Sequence, residues 1–328
     1  MSKGPTQTGI GYFGKIPTQG DFIKATDNAT LIAILDEWLA QSMDLLASDP
    51  RWKITYDAVA PVHFAFIGPR RKRAIAGHLV ASTDAAQRRF PFLAMSTMEI
   101  DAPPEFVQSS PLVLARLWHR LQALTGDVLS AANPANALHV LSATKVELEL
   151  GAPAYDAVFT DFLALQTVGA LDAMLAQTGF PGSVRQVMLA LGFLLQPVMS
   201  SGSSRLEKSL VLPLPADPLY RYLAASFWMR LIAPFLLGAD FELAVFFVSL
   251  QQKPAMVIGF GGASPRTLHA IMDPQVGLEH HISFEEVQWA EAQIDSDHRI
   301  KKLSSYLAQP HLSLTSARDA FREAFIGA

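Results

Sequence analysis

Lys15 and Asp21 lie in a loop punctuated by Gly11, Gly14 and Gly20, and Ser82, Asp84, Arg88 and Arg89 lie in a second short stretch that ends at Pro91. Amines and guanidiniums beside carboxylates can contact a charged partner. The same pairs, when buried, fasten loops to one another. A buried Arg88 or Arg89 needs a carboxylate, and Asp84 and Asp21 are the candidates. We read the glycines as a tight strand-to-helix connection, Asp21 as a turn residue and the arginines as a structural clamp. The alternative is a loop shaped to meet a partner. It is not a phosphate loop, because it lacks the Gly-Lys-Ser/Thr ending that cradles phosphate and binds magnesium.

Other residues offer less. Gly259-Phe260-Gly261-Gly262-Ala263-Ser264 stands between a strand and a helix, the setting of a dinucleotide loop. The preceding element reads as a hairpin, however, and not as the first strand of a βαβ unit. A nucleotide-binding regulator or enzyme built on this loop is the second reading of the chain. His280 and His281 neighbour Glu279 and lie near Glu285. Adjacent side chains diverge on a helix or a strand, so they make a poor metal pair. There is no cysteine and no Gly-x-Ser-x-Gly elbow. We expect no catalytic residue, no metal and no cofactor. Arg70, Arg71, Lys72 and Arg73 form a basic hairpin tip, either a solvated turn or a docking patch for an acidic or phosphorylated partner.

The composition narrows the partners. With a net charge of −4 there is no electrostatic footprint for nucleic acid or an anionic membrane. Half of the residues are hydrophobic and only 17% are charged, so a large core or a covered apolar surface is expected. Residues 1–10 are polar and lack the apolar region of a secretory signal. The apolar run Val187–Met199 is too short to span a bilayer, and Leu231–Leu250 is broken by Pro234, Asp240 and Glu242. We expect a cytoplasmic protein without membrane insertion.

The elements that must position these residues follow from periodicity. Leu31, Leu35, Trp38, Leu39, Leu45 and Leu46 share a helical stripe that Asp27 or Asn28 can cap. Val62–Ile67 and Ala74–Val80 read as strands paired across Gly68–Arg73, with Phe92–Met98 as a third strand. Pro111 suits the first turn of a second helix, whose apolar face carries Leu114, Leu117, Trp118, Leu121 and Leu124. The aromatics Trp38, Trp118, Phe227 and Trp228 are core candidates. The fold expected is an α/β sandwich of the α+β class, an antiparallel meander sheet with helices packed on it.

A second α/β lobe follows. Ala131–Ala137 reads as a connector, Tyr155–Leu175 and Val184–Leu195 as helices, and Ser200–Ser204 as the most flexible stretch. Ser209–Leu214, the helix ending near Pro234, and Phe241–Ser249 paired with Ala255–Phe260 across Gln251–Pro254 echo the first lobe. A divergent duplication is the hypothesis. Ser283 and Glu286 read as a capping box ahead of the C-terminal helices. The domains expected are 1–130, a helical connector at 131–205, and 206–328.

Gly11 to Phe22, GYFGKIPTQGDF, resembles the N-terminal signature of the TagF/ImpM family. Leu35 to Leu39, LDEWL, matches that family's next block and includes Trp38. Ser82 to Pro91 is similar to its third block, a serine and an aspartate followed by an Arg-Arg-aromatic-Pro element. Gln87 departs from the pattern, since the family usually carries glycine there. The resemblance covers roughly the first two fifths of the chain; beyond residue 125 no motif extends it. It implies an accessory role in type VI secretion by post-translational control, with restraint of apparatus assembly. The implied partner is a forkhead-associated-domain scaffold protein, reached in the cytoplasm or at the inner-membrane apparatus. The family-motif residues implied as partner-binding are Gly11, Phe13, Gly14, Lys15, Pro17, Gly20, Asp21, Phe22, Trp38, Ser82, Asp84, Arg88, Arg89 and Pro91.

Overall fold

The computed structural model describes residues 5–26, 28–151, 153–201, 206–294 and 297–327. In chain order the first part runs β1 (Thr6–Gly9), β2 (Gly11–Gly14), β3 (Ile23–Ala25), α1 (Ala29–Leu46), α2 (Trp52–Asp57), β4 (Val62–Ile67), β5 (Arg73–Val80), β6 (Phe92–Glu99) and α3 (Pro103–Ser130). The middle holds α4 (Ala135–Ala143), β7 (Lys145–Leu148), α5 (Pro153–Leu165), α6 (Val168–Ala176) and α7 (Val184–Ser201). Then come β8 (Ser209–Pro213), α8 (Pro218–Leu236), β9 (Leu243–Leu250), β10 (Lys253–Gly259), α9 (Pro265–Met272), α10 (Pro274–His280) and β11 (His281–Ser283). The chain closes with α11 (Gln288–Glu291), α12 (His298–Leu307) and α13 (Leu314–Phe325). This is the mixed α/β class, with a large, mainly antiparallel sheet covered by helices.

Nine strands form one sheet in the order β11-β8-β10-β9-β4-β5-β6-β2-β3. Every neighbouring pair is antiparallel except β11 with β8. β1 pairs separately with β7. The sheet is continuous across the chain because β4 pairs with β9, Ala65 opposite Val245. Its central strands are covered on both faces, so they read as unbroken apolar runs such as Leu243–Val248. On one face α1 and α9 pack over Phe64, Leu79, Phe246 and Val257. On the other, α3 crosses α8, with Trp118 against Phe247 and Tyr222. Thus the order strand, helix, hairpin recurs along the chain, but α1 and α8 take opposite faces of the sheet.

Local chemistry explains where elements begin and end. Asn28 caps α1, its Oδ1 accepting from the Leu31 amide at 3.0 Å; Asp27 lies outside the described residues. The second helix starts at Pro103, not at Pro111, which sits inside α3. Proline there leaves the Val107 carbonyl without its amide donor. The Ser110 hydroxyl donates to that carbonyl at 3.0 Å, so the helix continues. The β9–β10 turn is Gln251-Gln252, both at positive φ (49° and 66°), and Pro254 lies within β10 opposite Ser249. Two glutamines therefore adopt the left-handed geometry that a two-residue hairpin demands. Ser283 closes β11 and its hydroxyl accepts from the Glu285 amide; the next helix starts later, at Gln288, so the expected capping box does not form. Of the run Ser200–Ser204, the first two residues end α7, and 202–204 lie outside the described residues.

Candidate functional site

The two polar loops meet. β2 delivers Gly14 and Lys15 against the start of β6, where Gly14 pairs with Phe92. Gly14 has φ +133°, and a Cβ there would lie 2.1 Å from the Pro91 carbonyl oxygen. Only glycine lets the strands approach so closely. Lys15, now inside, points its ammonium at Asp84 (Nζ–Oδ2 3.0 Å), and the Asp84 side chain has no exposed surface.

Asp84 is the centre of the arrangement. Its Oδ1 accepts from the amides of Ala86 (3.0 Å) and Arg88 (2.9 Å), and its Oδ2 from Lys15 Nζ (3.0 Å) and Arg88 Nε (2.6 Å). Desolvation pushes this carboxyl up, but the Arg88 amide and the Lys15 and Arg88 cations outweigh it and hold it well below the usual carboxylate range. Arg88 also donates to the Gly20 carbonyl at 2.6 Å, and the Ala85 amide donates to the Gln19 carbonyl at 2.8 Å, so the loops are stitched directly. Gln87 takes φ +63°. The backbone there adopts the left-handed conformation that favours glycine, despite the glutamine.

The second arginine points elsewhere. Arg89 forms a two-pronged pair with Asp57 at the end of α2 (2.8 and 2.6 Å), which holds the Asp57 carboxyl below its ordinary value. Beside it the buried Tyr56 hydroxyl accepts from the Ser82 amide (2.9 Å) and donates to the Ser82 carbonyl (3.0 Å). Burial pushes that phenol's pKa up. Changing Tyr56 to Phe leaves the buried Ser82 amide without its acceptor and the Ser82 carbonyl with only the Phe90 amide, at 3.1 Å. We expect a loss of about 2 kcal/mol, measured by urea unfolding, and wild-type stability would refute this role for the hydroxyl.

Aromatic rings complete the site. Phe22 stacks on Phe13 at 5.5 Å and meets Phe90 edge-on at 4.8 Å, while the Lys15 ammonium lies 4.9 Å from its centroid. Sequence reasoning named Asp84 and Asp21 as candidates for Arg88 or Arg89, and the structure pairs Asp84 with Arg88. The same reasoning gave Lys15 no specific partner. It also missed Asp57, Tyr56 and Phe90. Asp21 pairs with neither arginine; its Oδ1 accepts from the next amide, that of Phe22, at 2.8 Å. Pro17 is exposed and Pro91 buried. Trp38 stands apart from the clamp, packed on Phe64, Phe66 and Phe246 with its indole N–H on the Ser264 carbonyl.

The remaining candidates lie elsewhere. Arg70 donates to the carbonyls of Leu237 and Gly238, and Arg71 bridges Asp240 and Glu242. These two tie the β4–β5 tip to the turn before β9. Lys72 and Arg73 line a groove of about 1010 Å³ between α1 and the sheet, floored by Phe66 and Ile75. In the glycine loop the Gly262 amide donates to the Glu242 carbonyl at 2.7 Å, and the Glu242 carboxylate packs over Gly262. A phosphate placed there would face a carboxylate and find that amide occupied. His281 lines a cavity of about 480 Å³ with Glu285 and Lys253, which pair at 2.7 Å. Among the described residues no group of three or more His, Cys, Asp or Glu side chains could hold a metal ion.

The polar groups around Asp84 thus form one clamp between the two loops, while the buried Ser82 hydroxyl has no hydrogen-bond partner among the described residues. Residues 11–143 match the TagF N-terminal domain, described as type VI secretion system-associated. The chain carries a TagF N-terminal domain. That domain contains the whole clamp, and its β4 is joined by β9 from outside the match. No curated protein matches the chain. Among solved structures, the crystal structure of PA0076 from Pseudomonas aeruginosa PAO1 is similar at 21% identity and a TM-score of 0.34, over 41% of this chain and 61% of that one. The chain thus aligns with about three fifths of that protein. Among the described residues no helix beside the TagF domain or within it is long and apolar enough to cross a membrane.

Proposed function

We propose that this protein is a non-enzymatic regulator of type VI secretion, which binds a forkhead-associated-domain scaffold protein and restrains apparatus assembly. It acts in the cytoplasm and is recruited to the inner-membrane apparatus through that partner. The observation that carries this reading is the clamp in the TagF domain. Its one buried carboxylate is held by four donors, so the loops present a fixed shape and hold no poised acid or base. A rigid face of this kind binds without first having to be ordered. Restraint then follows from mass action, since scaffold bound here is withdrawn from assembly.

The test is a calorimetric titration of purified scaffold into the full chain, with secretion measured in cells lacking the protein. We expect saturable binding and raised secretion in the deletion. A folded chain that fails to bind refutes the partner, and lost secretion in the deletion reverses the sign to that of an assembly factor.

A further inference from the structure

The clamp satisfies the Asp84 carboxylate and leaves a distinct outer face. Phe22 is 43% exposed, although its ring is fixed by Phe13, Phe90 and the Lys15 ammonium. An aromatic ring that is exposed yet immobilised loses little entropy on binding, which is the property of an interface anchor. Linked to it through Lys15 and Asp84 is Arg88, whose side chain is 61% exposed. Its Nε and one terminal nitrogen are turned inward to Asp84 and the Gly20 carbonyl. Its other terminal nitrogen has no partner among the described residues.

Charge favours an acidic visitor. Lys15 and Arg88 share the single carboxylate of Asp84, so the clamp carries one uncompensated positive charge. Arg89 does not add to it, being neutralised by Asp57. Asp21, exposed on the same loop, opposes it in part. The free guanidinium nitrogen at this edge can donate to one carboxylate oxygen of a partner.

We propose that this face receives an acidic, apolar protein segment of the partner, an aliphatic or aromatic side chain resting on Phe22 and a neighbouring carboxylate on the outer edge of Arg88. This rests on the proposed role as a scaffold-binding regulator. The carboxylate contact sets the salt dependence of binding and the Phe22 contact sets the dissociation rate.

The test titrates purified, phosphatase-treated forkhead-associated scaffold against the full chain and its variants, at about 50 and 300 mM salt, on either side of the range where screening takes hold. Phe22→Ala is expected to weaken binding roughly 30-fold at both salt levels. Arg88→Gln is expected to weaken it at low salt and flatten the salt dependence. Because Arg88 also holds the clamp, Asp21→Lys serves as the variant outside it: the added cation should tighten binding several-fold at low salt, an effect that misfolding cannot mimic. Wild-type affinity in both Phe22→Ala and Asp21→Lys would overturn this assignment while leaving the regulatory role standing. If the scaffold binds only before phosphatase treatment, the carboxylate is the wrong anion and the assignment falls. Failure of the wild-type chain to bind the scaffold at all would remove the regulatory role and this face with it.

Discussion

Gly14→Ala is expected to destabilise the protein by about 4 kcal/mol or more, among the largest effects of any single substitution. Two costs combine. The backbone at φ +133° is one that side-chain-bearing residues rarely adopt, and the new Cβ would lie 2.1 Å from the Pro91 carbonyl oxygen and 2.8 Å from the Phe92 Cα. Those are main-chain atoms, so no side chain can swing aside. Relief requires β2 to part from β6, which withdraws Lys15 from Asp84 and loosens both loops. The control is Gly20→Ala, in the same loop. A Cβ there meets nothing within 4 Å, so that variant should stay within about 0.5 kcal/mol of wild type. Thermal melting reads both: a drop of roughly 8 °C or more for Gly14→Ala, and almost none for Gly20→Ala. Equal melting temperatures for the two variants would show that the loop glycines are interchangeable and that the close approach at Pro91 does not matter.

That contrast marks what the sequence could convey. Gly11, Gly14 and Gly20 are alike on the page, and nothing local says which one faces a carbonyl. Short-range pattern located the β4–β5 hairpin, β6, the stripe of α1 and the strand-helix-hairpin order of the second half. It also named Asp84 and Asp21 as the carboxylates for either arginine, without choosing between them. Lys15–Asp84 and Arg89–Asp57 are tertiary pairs, separated by 69 and 32 residues, and no periodicity encodes them. The β4–β9 seam is hidden for the same reason: both strands are apolar on both faces, so neither shows which neighbour it will take. Pro111 misled because a proline after a serine resembles a helix start. The compensating hydroxyl bond from Ser110 to Val107 is visible only once the helix is built.

Acid should unfold this protein earlier than its carboxylates alone would dictate. His63 and His78 are cross-strand partners on β4 and β5, and their Nδ1 atoms are 3.0 Å apart. Such a bond requires one nitrogen to donate and the other to accept, so the two rings cannot both be protonated while it lasts. Burial lowers both pKa values, His63 to about 2 and His78 to about 4. The neighbouring His78, His119 and Arg221 add to the fall at His63, and a bond to the Val62 backbone opposes it at His78. His281, half-buried beside α9 and α10, is likewise lowered to about 4 by desolvation, with His280 adding and the Ala270 carbonyl opposing. In the unfolded chain each titrates near 6.5, so below that pH the unfolded state binds protons that the folded state refuses. Stability is therefore full above pH 6.5 and is lost as pH falls toward 4, at about 3 kcal/mol per histidine over that span. Losses of this order are a large fraction of the stability of a typical domain, about 5–15 kcal/mol. Asp84 acts in a separate window: its depressed pKa keeps its contribution intact until the pH falls below 3.8. Melting temperatures at pH 7 and pH 4.5 test this. The wild type should lose much of its stability between them, and a His63→Gln/His78→Gln double variant, which keeps a side-chain bond but cannot protonate, should lose distinctly less. An unchanged melting temperature in the wild type, or an equal loss in the double variant, would place the acid sensitivity outside this pair.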